Sequence, residues 1–161
     1  MNDRPNIPMK PATEGLGEIG LSNFAPYLMN RIMGRYNAGL QGDMQALGLT
    51  TPKMRALAVL SVIDAPLIGE LAVYAVVEQS TLSRALDQLV TDGLIRREVD
   101  RTDNRAVRVY ITDPGRRVFE TLWPVMAATY AQMFQGIDAA ERAQFVDTLQ
   151  KMLGNIRKHE F

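Results

Sequence analysis

The sequence predicts a mainly α-helical protein with one small β-hairpin. Along most of its 161 residues, apolar side chains recur every third or fourth position, which is the period of an amphipathic helix. Between residues 95 and 111 the period changes to two, twice, around a polar turn, as expected for two paired strands. An isolated hairpin is only marginally stable, so we expect it to pack on the helices that precede it.

The N-terminal part of the chain divides into an arm and a long helix. Residues 1–20 contain three prolines, three glycines and no apolar period, which predicts a flexible arm. From about Ser22 to Leu47 apolar residues recur every fourth position and predict the first helix. Three glycines in this helix lower its intrinsic helix propensity, so packing must stabilise it.

Three shorter helices are predicted next. Thr51 and Pro52 open the first of them, because threonine can cap free N–H groups and proline is tolerated in the first turn. The second covers about residues 68–76, after a break that contains a proline. The third covers residues 79–92 and ends at Gly93.

The hairpin is followed by two long helices. Thr112 or Asp113 caps the first of them, and Pro124 should kink it. Asp138 caps the second, whose apolar residues again share one face. Residues 51–112 therefore have the arrangement of a winged helix-turn-helix, a DNA-binding fold. The helices on either side are too apolar on one face to stand alone.

Composition excludes several classes of protein. Eighteen basic residues balance eighteen acidic ones, which excludes a histone-like binder but not a local basic patch. The chain has no cysteine for disulfides or thiolate metal sites, and one histidine, His159. No apolar run approaches the roughly 20 residues that span a bilayer, and no signal peptide is visible. We expect a cytoplasmic protein without membrane contacts, metal or cofactor.

The helix over residues 79–92 carries short hydrogen-bonding groups and an arginine near its N-terminus. Such groups can reach base edges in the DNA major groove, and a helix N-terminus favours a phosphate. Residues 95–108 add five arginines against three carboxylates, and arginine suits phosphate contacts and narrow minor grooves. A solvated helix face and a charged, solubilising strand edge are the alternatives for each part alone. Together, the two parts favour DNA binding.

Five segments, in this order and spacing, carry a resemblance to a known family: 70–72, 80–89, 92–95, 100–105 and 111–116. With them the chain resembles the MarR family of transcriptional regulators. The resemblance implies a homodimer in which residues 21–50 and 113–161 form a helical dimerisation region. It also implies that residues 51–112 place two recognition helices on double-stranded DNA with a pseudo-palindromic operator.

The resemblance also implies site residues. Arg105 matches the wing arginine that enters the minor groove, and Asp87 matches a residue that can pair with that arginine and fix its direction. The predicted DNA-binding residues are Gln79, Ser80, Thr81, Ser83, Arg84, Asp87, Arg101 and Arg105. Family members often bind a small aromatic or carboxylic ligand, for which Tyr27, Met33, Tyr36 and Trp123 are the candidates here, with core packing as the alternative for each.

The chain departs from the family pattern at the turn before residue 79. Val76, Val77 and Glu78 stand where the family usually has glycine and then a serine or threonine cap. Because valine in a left-handed conformation costs roughly 1–2 kcal/mol, we expect this turn to be built differently.

The leading hypothesis is a homodimeric, sequence-specific transcriptional regulator, expected to be a ligand-responsive repressor. The alternative is a protein-interaction module of the same fold, with weakened or lost DNA binding, that uses Val73, Tyr74 and Val77 as an apolar patch. An enzyme is disfavoured because no nucleophile elbow, phosphate loop or zinc-spaced ligand set is present.

Overall fold

The computed structural model describes residues 15–161. The chain divides into two compact units, one up to Gly39 and one from Leu40 to Phe161, and each is described by itself. The first unit holds α1 (Leu16–Ile19), a 3-10 turn and most of α2 (Ala25–Ala46). Of the predicted flexible arm, residues 1–14 lie outside the described residues, while the remainder contains α1.

The second unit confirms the predicted fold class, since a mainly helical chain carries one two-stranded antiparallel hairpin. A winged helix-turn-helix is present: α3, α4 and α5 precede the hairpin, and two long helices follow it. The elements, in chain order, are α3 (Thr51–Leu60), α4 (Ile68–Ala75), α5 (Gln79–Thr91), β1 (Ile95–Val99), β2 (Val107–Ile111), α6 (Asp113–Met133) and α7 (Ala139–Ile156).

The core of the second unit is formed by leucines at helical spacing. α3 is central, because it contacts α4, α5, α6 and β2. The apolar side of α5 is fully buried through Leu82, Leu86 and Leu89. Burial of each such side chain contributes roughly 1.5–3 kcal/mol, so this core fixes which side of α5 remains exposed.

The hairpin is tied to the helices at its base. Ile95 pairs with Ile111 and Val99 with Val107, and Ile95 is buried. The loop before α4 adds a contact that the sequence analysis missed, because the Val109 N–H donates to the Pro66 carbonyl at 3.0 Å. We call residues 95–111 the wing; β2 is thus held by a backbone hydrogen bond to a third segment.

Helix starts test the predicted caps. Of the two predicted caps for α6, Thr112 is the one present, since its hydroxyl oxygen accepts from the Gly115 N–H at 3.2 Å. Asp138 caps α7 in the same way, accepting from the Glu141 N–H at 2.9 Å. The predicted cap at Thr51 is wrong, because α3 already begins at Thr51 and Thr50 occupies the cap position. Thr50 itself makes no side-chain capping bond.

The terminal helices expose apolar side chains. α7 buries no residue, and Leu153 and Ile156 are 59% and 78% exposed. In the first unit, Leu16 and Leu21 are about half exposed. Within residues 15–161, no helix is long and apolar enough to cross a membrane. α6 runs through Pro124 without ending, from Asp113 to Met133.

Candidate nucleic-acid interface

The side of α5 opposite its buried leucines presents most of the predicted contact residues. Gln79, Ser80 and Arg84 are exposed, whereas Thr81 and Ser83 are half-buried. The Ser80 hydroxyl donates to Glu78 Oε1 at 3.0 Å. The helix therefore offers polar groups near its N-terminus on a rigid element that packs against α3, α4 and β1.

The turn between α4 and α5 contradicts the expectation that it avoids a left-handed residue. Val76 has φ 53° and ψ 50°, which is the left-handed conformation. The reason lies in the hydrogen bonds that end α4: the N–H groups of Val76 and Val77 donate to Val73 and Ala72 at 3.2 and 3.1 Å. Arg55 Nη1 also donates to the Val76 carbonyl, at 3.1 Å. The turn is thus built in the usual geometry of helix ends, despite the valine.

The wing is organised around one buried carboxylate, Asp100. Its side chain accepts from the Thr102 N–H at 2.9 Å, the Thr102 hydroxyl at 2.6 Å and the Asp103 N–H at 3.1 Å. Arg108 also donates to it, and these donors hold the pKa of Asp100 well below its usual range. The same pairing with Asp100 raises the pKa of Arg108.

Arg108 extends this network to the helices. Its Nη1 donates to the Ala65 carbonyl at 2.8 Å, in the loop before α4. Because Asp100 and Ala65 are both bound by one guanidinium, the turn of the wing is linked to the start of the helix-turn-helix.

The tip of the wing carries two exposed arginines, Arg101 and Arg105. Neither side chain forms an ion pair with any residue of 15–161, and the same holds for Arg84 on α5. The Arg105 N–H donates to Asp103 Oδ1 at 2.9 Å, which fixes the backbone of the tip. Three guanidinium groups on α5 and the wing are therefore available to an anionic partner.

Asp87 pairs with an arginine other than the one expected. Arg97 Nη1 lies 2.8 Å from Asp87 Oδ1, and Arg97 Nη2 donates to the Ser83 carbonyl at 3.4 Å. The expected pair with Arg105 is therefore wrong in this structure. The physical reason is strand geometry: Arg97 shares a face of β1 with the buried Ile95, the face that packs towards α5. That alternation was visible in the sequence and could have identified Arg97.

Lys53 is a second residue that sequence reasoning missed. Its side chain is buried, and its ammonium group lies 3.3 Å from Asp92 Oδ2 and 3.5 Å from the Gly48 carbonyl. Asp92 terminates α5, so a buried cation lies beside the C-terminal end of that helix, where the helix dipole favours positive charge. Lys53 thus anchors the end of α5 opposite its predicted DNA-facing residues.

The four ligand-site candidates lie on two long helices. On α2, Tyr27 and Tyr36 are half-buried and Met33 is 45% exposed. Partial burial raises the pKa of the Tyr36 hydroxyl. On α6, Trp123 is 55% exposed, with its ring 6.3 Å from that of Phe119. A ligand site formed by these residues stays a prediction.

Comparison with known proteins places this fold among transcriptional regulators. A model of the MarR family matches residues 47–106. A MarR-family regulator from Silicibacter pomeroyi with a crystal structure is 62% identical, over 92% of this chain and 100% of that one, with a TM-score of 0.88. The transcriptional repressor IacR of Pseudomonas putida is 26% identical over 136 residues, 84% of this chain and 79% of the repressor.

A third protein adds a ligand to this comparison. Its structure describes how 6-hydroxynicotinic acid regulates DNA binding by BpsR of Bordetella bronchiseptica. It is 26% identical over 79% of this chain and 96% of that one, with a TM-score of 0.68.

Proposed function

This chain belongs to the MarR family of transcriptional regulators, which are not enzymes, and we propose that it is a homodimeric repressor of a specific DNA operator. The observation that carries the proposal is the exposed polar side of α5, which lies next to a wing whose tip arginines have no carboxylate partner within residues 15–161. An α-helix fits the major groove, and an arginine on a wing fits the minor groove.

The proposed roles follow from position and exposure. Gln79, Ser83 and Arg84 contact base edges and nearby phosphates, and Ser80 and Thr81 contact the backbone at the helix N-terminus. Arg101 and Arg105 contact the strands beside the site. Asp87 acts indirectly in this proposal, because it is held by Arg97.

The exposed apolar side chains of α7 and of the first unit support the homodimer. Large apolar residues such as Leu153 and Ile156 are exposed in the single chain, and such surfaces mark interaction sites. A two-fold symmetric dimer would cover the same surface on both protomers and present two α5 helices. The operator is then a pseudo-palindrome, with half-sites about one helical turn apart.

The proposed regulation is release of the operator by a small aromatic or carboxylic ligand. BpsR, whose DNA binding is regulated by 6-hydroxynicotinic acid, supports this class of ligand. Tyr27, Met33, Tyr36 and Trp123 remain the proposed lining of the site. A regulator of this kind works beside the DNA, so the proposal includes a cytoplasmic location.

The test is binding to the intergenic DNA next to the gene, measured by fluorescence anisotropy at several salt concentrations. Because phosphate contacts release counterions, affinity should fall steeply with salt. Arg105→Ala should weaken binding roughly three- to tenfold and lower the salt slope by about one, with an unchanged melting temperature.

Arg96→Ala is the matched control for this experiment. Its guanidinium lies 4.0 Å from the Tyr110 ring and pairs with Glu98, so it is engaged within the hairpin and should affect affinity less. A chain that sediments as a single protomer, or that binds no duplex at low salt, would contradict the proposed function.

A further inference from the structure

An open groove lies beside the N-terminal end of α5. Its volume is about 670 Å³, it is widely open to solvent, and most of its lining surface is apolar. One wall belongs to α4 and the following turn, and the opposite side belongs to the residues after α7. The lining residues are Gly69, Ala72, Val73, Val76, Val77, Glu78, Gln79, His159 and Phe161.

The segment after α7 folds back onto α4. Arg157 leaves α7 in an extended conformation, with φ −63° and ψ 146°. The Phe161 ring then lies 5.0 Å from the Tyr74 ring and 5.5 Å from the His159 ring, which it stacks upon. These distances are typical of favourable aromatic pairs, so residues 159–161 make a specific contact with the helix-turn-helix.

We propose that the α4 side of this groove is the docking surface for the chain's own C-terminal segment, residues 159–161, which forms the other side, and that the docked segment hinders DNA binding. The proposal rests on the proposed function. Gln79 is both the first residue of α5 and part of the groove lining. A DNA duplex that Gln79 contacts must therefore come close to the edge of the groove. A segment docked there competes with the duplex for space.

The contact is suited to reversible docking. Tyr74 and Phe161 remain 38% and 43% exposed, so their rings are only partly covered and can separate without opening the core. The apolar residues Val73, Tyr74 and Val77 are those that a protein partner would use. Phe161 already lies against Tyr74, which favours the chain's own segment over a second protein as the occupant.

Docking is tested without DNA by 19F NMR on the full chain labelled with 3-fluorotyrosine. Tyr74→Phe removes one of the resonances and so assigns it. Phe161→Ala should shift that resonance towards the value of a solvent-exposed tyrosine, because the neighbouring ring is lost. Phe161→Tyr keeps a ring at this position and should leave the Tyr74 signal close to wild type. The new tyrosine adds a resonance of its own, which is assigned first. An unchanged Tyr74 resonance in Phe161→Ala would overturn the contact.

Hindrance is tested by the dissociation constant for the operator duplex. Loss of one aromatic pair should raise the affinity of Phe161→Ala roughly two- to tenfold, while Phe161→Tyr stays at the wild-type value. Equal or weaker binding by Phe161→Ala would overturn the hindrance. If neither wild type nor any variant binds duplex, the proposed function is contradicted instead. The NMR experiment reports docking separately, because it needs no DNA.

Discussion

Arg108 on β2 and the arginines at the tip of the wing are used in opposite ways. Arg108 donates to Asp100 and to the Ala65 carbonyl and joins the hairpin to the loop before α4. At the tip, Arg101 and Arg105 are exposed and have no ion-pair partner in the described part of the chain. The same residue type therefore stabilises the fold where its guanidinium pairs with a carboxylate and stays available to an anion where it does not.

This difference shows why the charge of the hairpin alone is a poor guide to its function. Of its five arginines, Arg96, Arg97 and Arg108 each pair with a carboxylate. The excess positive charge that a duplex would meet lies at the tip. Three experiments test the contacts that hold the wing and its neighbours in place, from the largest expected effect to the smallest.

The largest effect is expected where α6 begins against the wing. A Cβ at Gly115 would collide with the carbonyl oxygen of Leu94, and a backbone atom cannot move aside as a side chain can. Gly115→Ala should lower the free energy of unfolding by about 2–3 kcal/mol, measured by urea denaturation.

Gly69→Ala in α4 is the matched control. No atom lies within 4 Å of the position of its Cβ, and alanine is the better helix former, so stability should hold or rise by up to about 1 kcal/mol. Equal urea midpoints for Gly115→Ala and Gly69→Ala would show that the contact between Leu94 and the start of α6 tolerates a side chain at position 115.

A smaller effect concerns the partner of Asp87. A double-mutant cycle of Asp87→Ala with Arg97→Ala should give a coupling free energy below about 1 kcal/mol, because both side chains are partly solvated. A parallel cycle with Arg105→Ala should give none in the free protein. Stronger coupling to Arg105 would mean that the tip is held by α5 and is not independent of it.

The smallest effect near neutral pH is that of Asp100 titration. Its donors hold the folded-state pKa below the unfolded value of about 3.9, so the carboxylate stabilises the wing fully above that value. This contribution is lost as pH falls from about 4 towards the folded pKa. Melting temperatures between pH 7 and pH 3 should fall more for wild type than for Asp100→Asn, which lacks the titrating group. Parallel curves would show that Asp100 does not carry the acid sensitivity.

Local sequence patterns predicted most of the fold. The period of α5 identified its buried leucines, and the alternation around residues 95–111 identified both strands of the wing. Thr112 was recognisable as a cap because capping depends on a residue three positions away. Each of these features is set by neighbours within about one helical turn or one strand, which a sequence displays directly.

Contacts between distant segments could not be predicted in this way. Val76 adopts a left-handed conformation because the bonds that end α4 and the guanidinium of Arg55 favour it over the local preference of valine. The bridge from Pro66 to Val109 joins residues far apart in the chain. At Val76, interactions from separate elements outweigh a local tendency, whereas the Pro66–Val109 bond depends on how two distant segments pack.

The sequence by itself determined the order of the helices, the position of the wing and the polar side of α5, since these follow from the periods of apolar residues. Only the tertiary structure decided that Asp87 pairs with Arg97, that Lys53 is buried beside Asp92 and that Phe161 reaches Tyr74. The reason is that ion pairs and ring contacts depend on distances of a few ångströms between side chains, and those distances are fixed only when the elements pack.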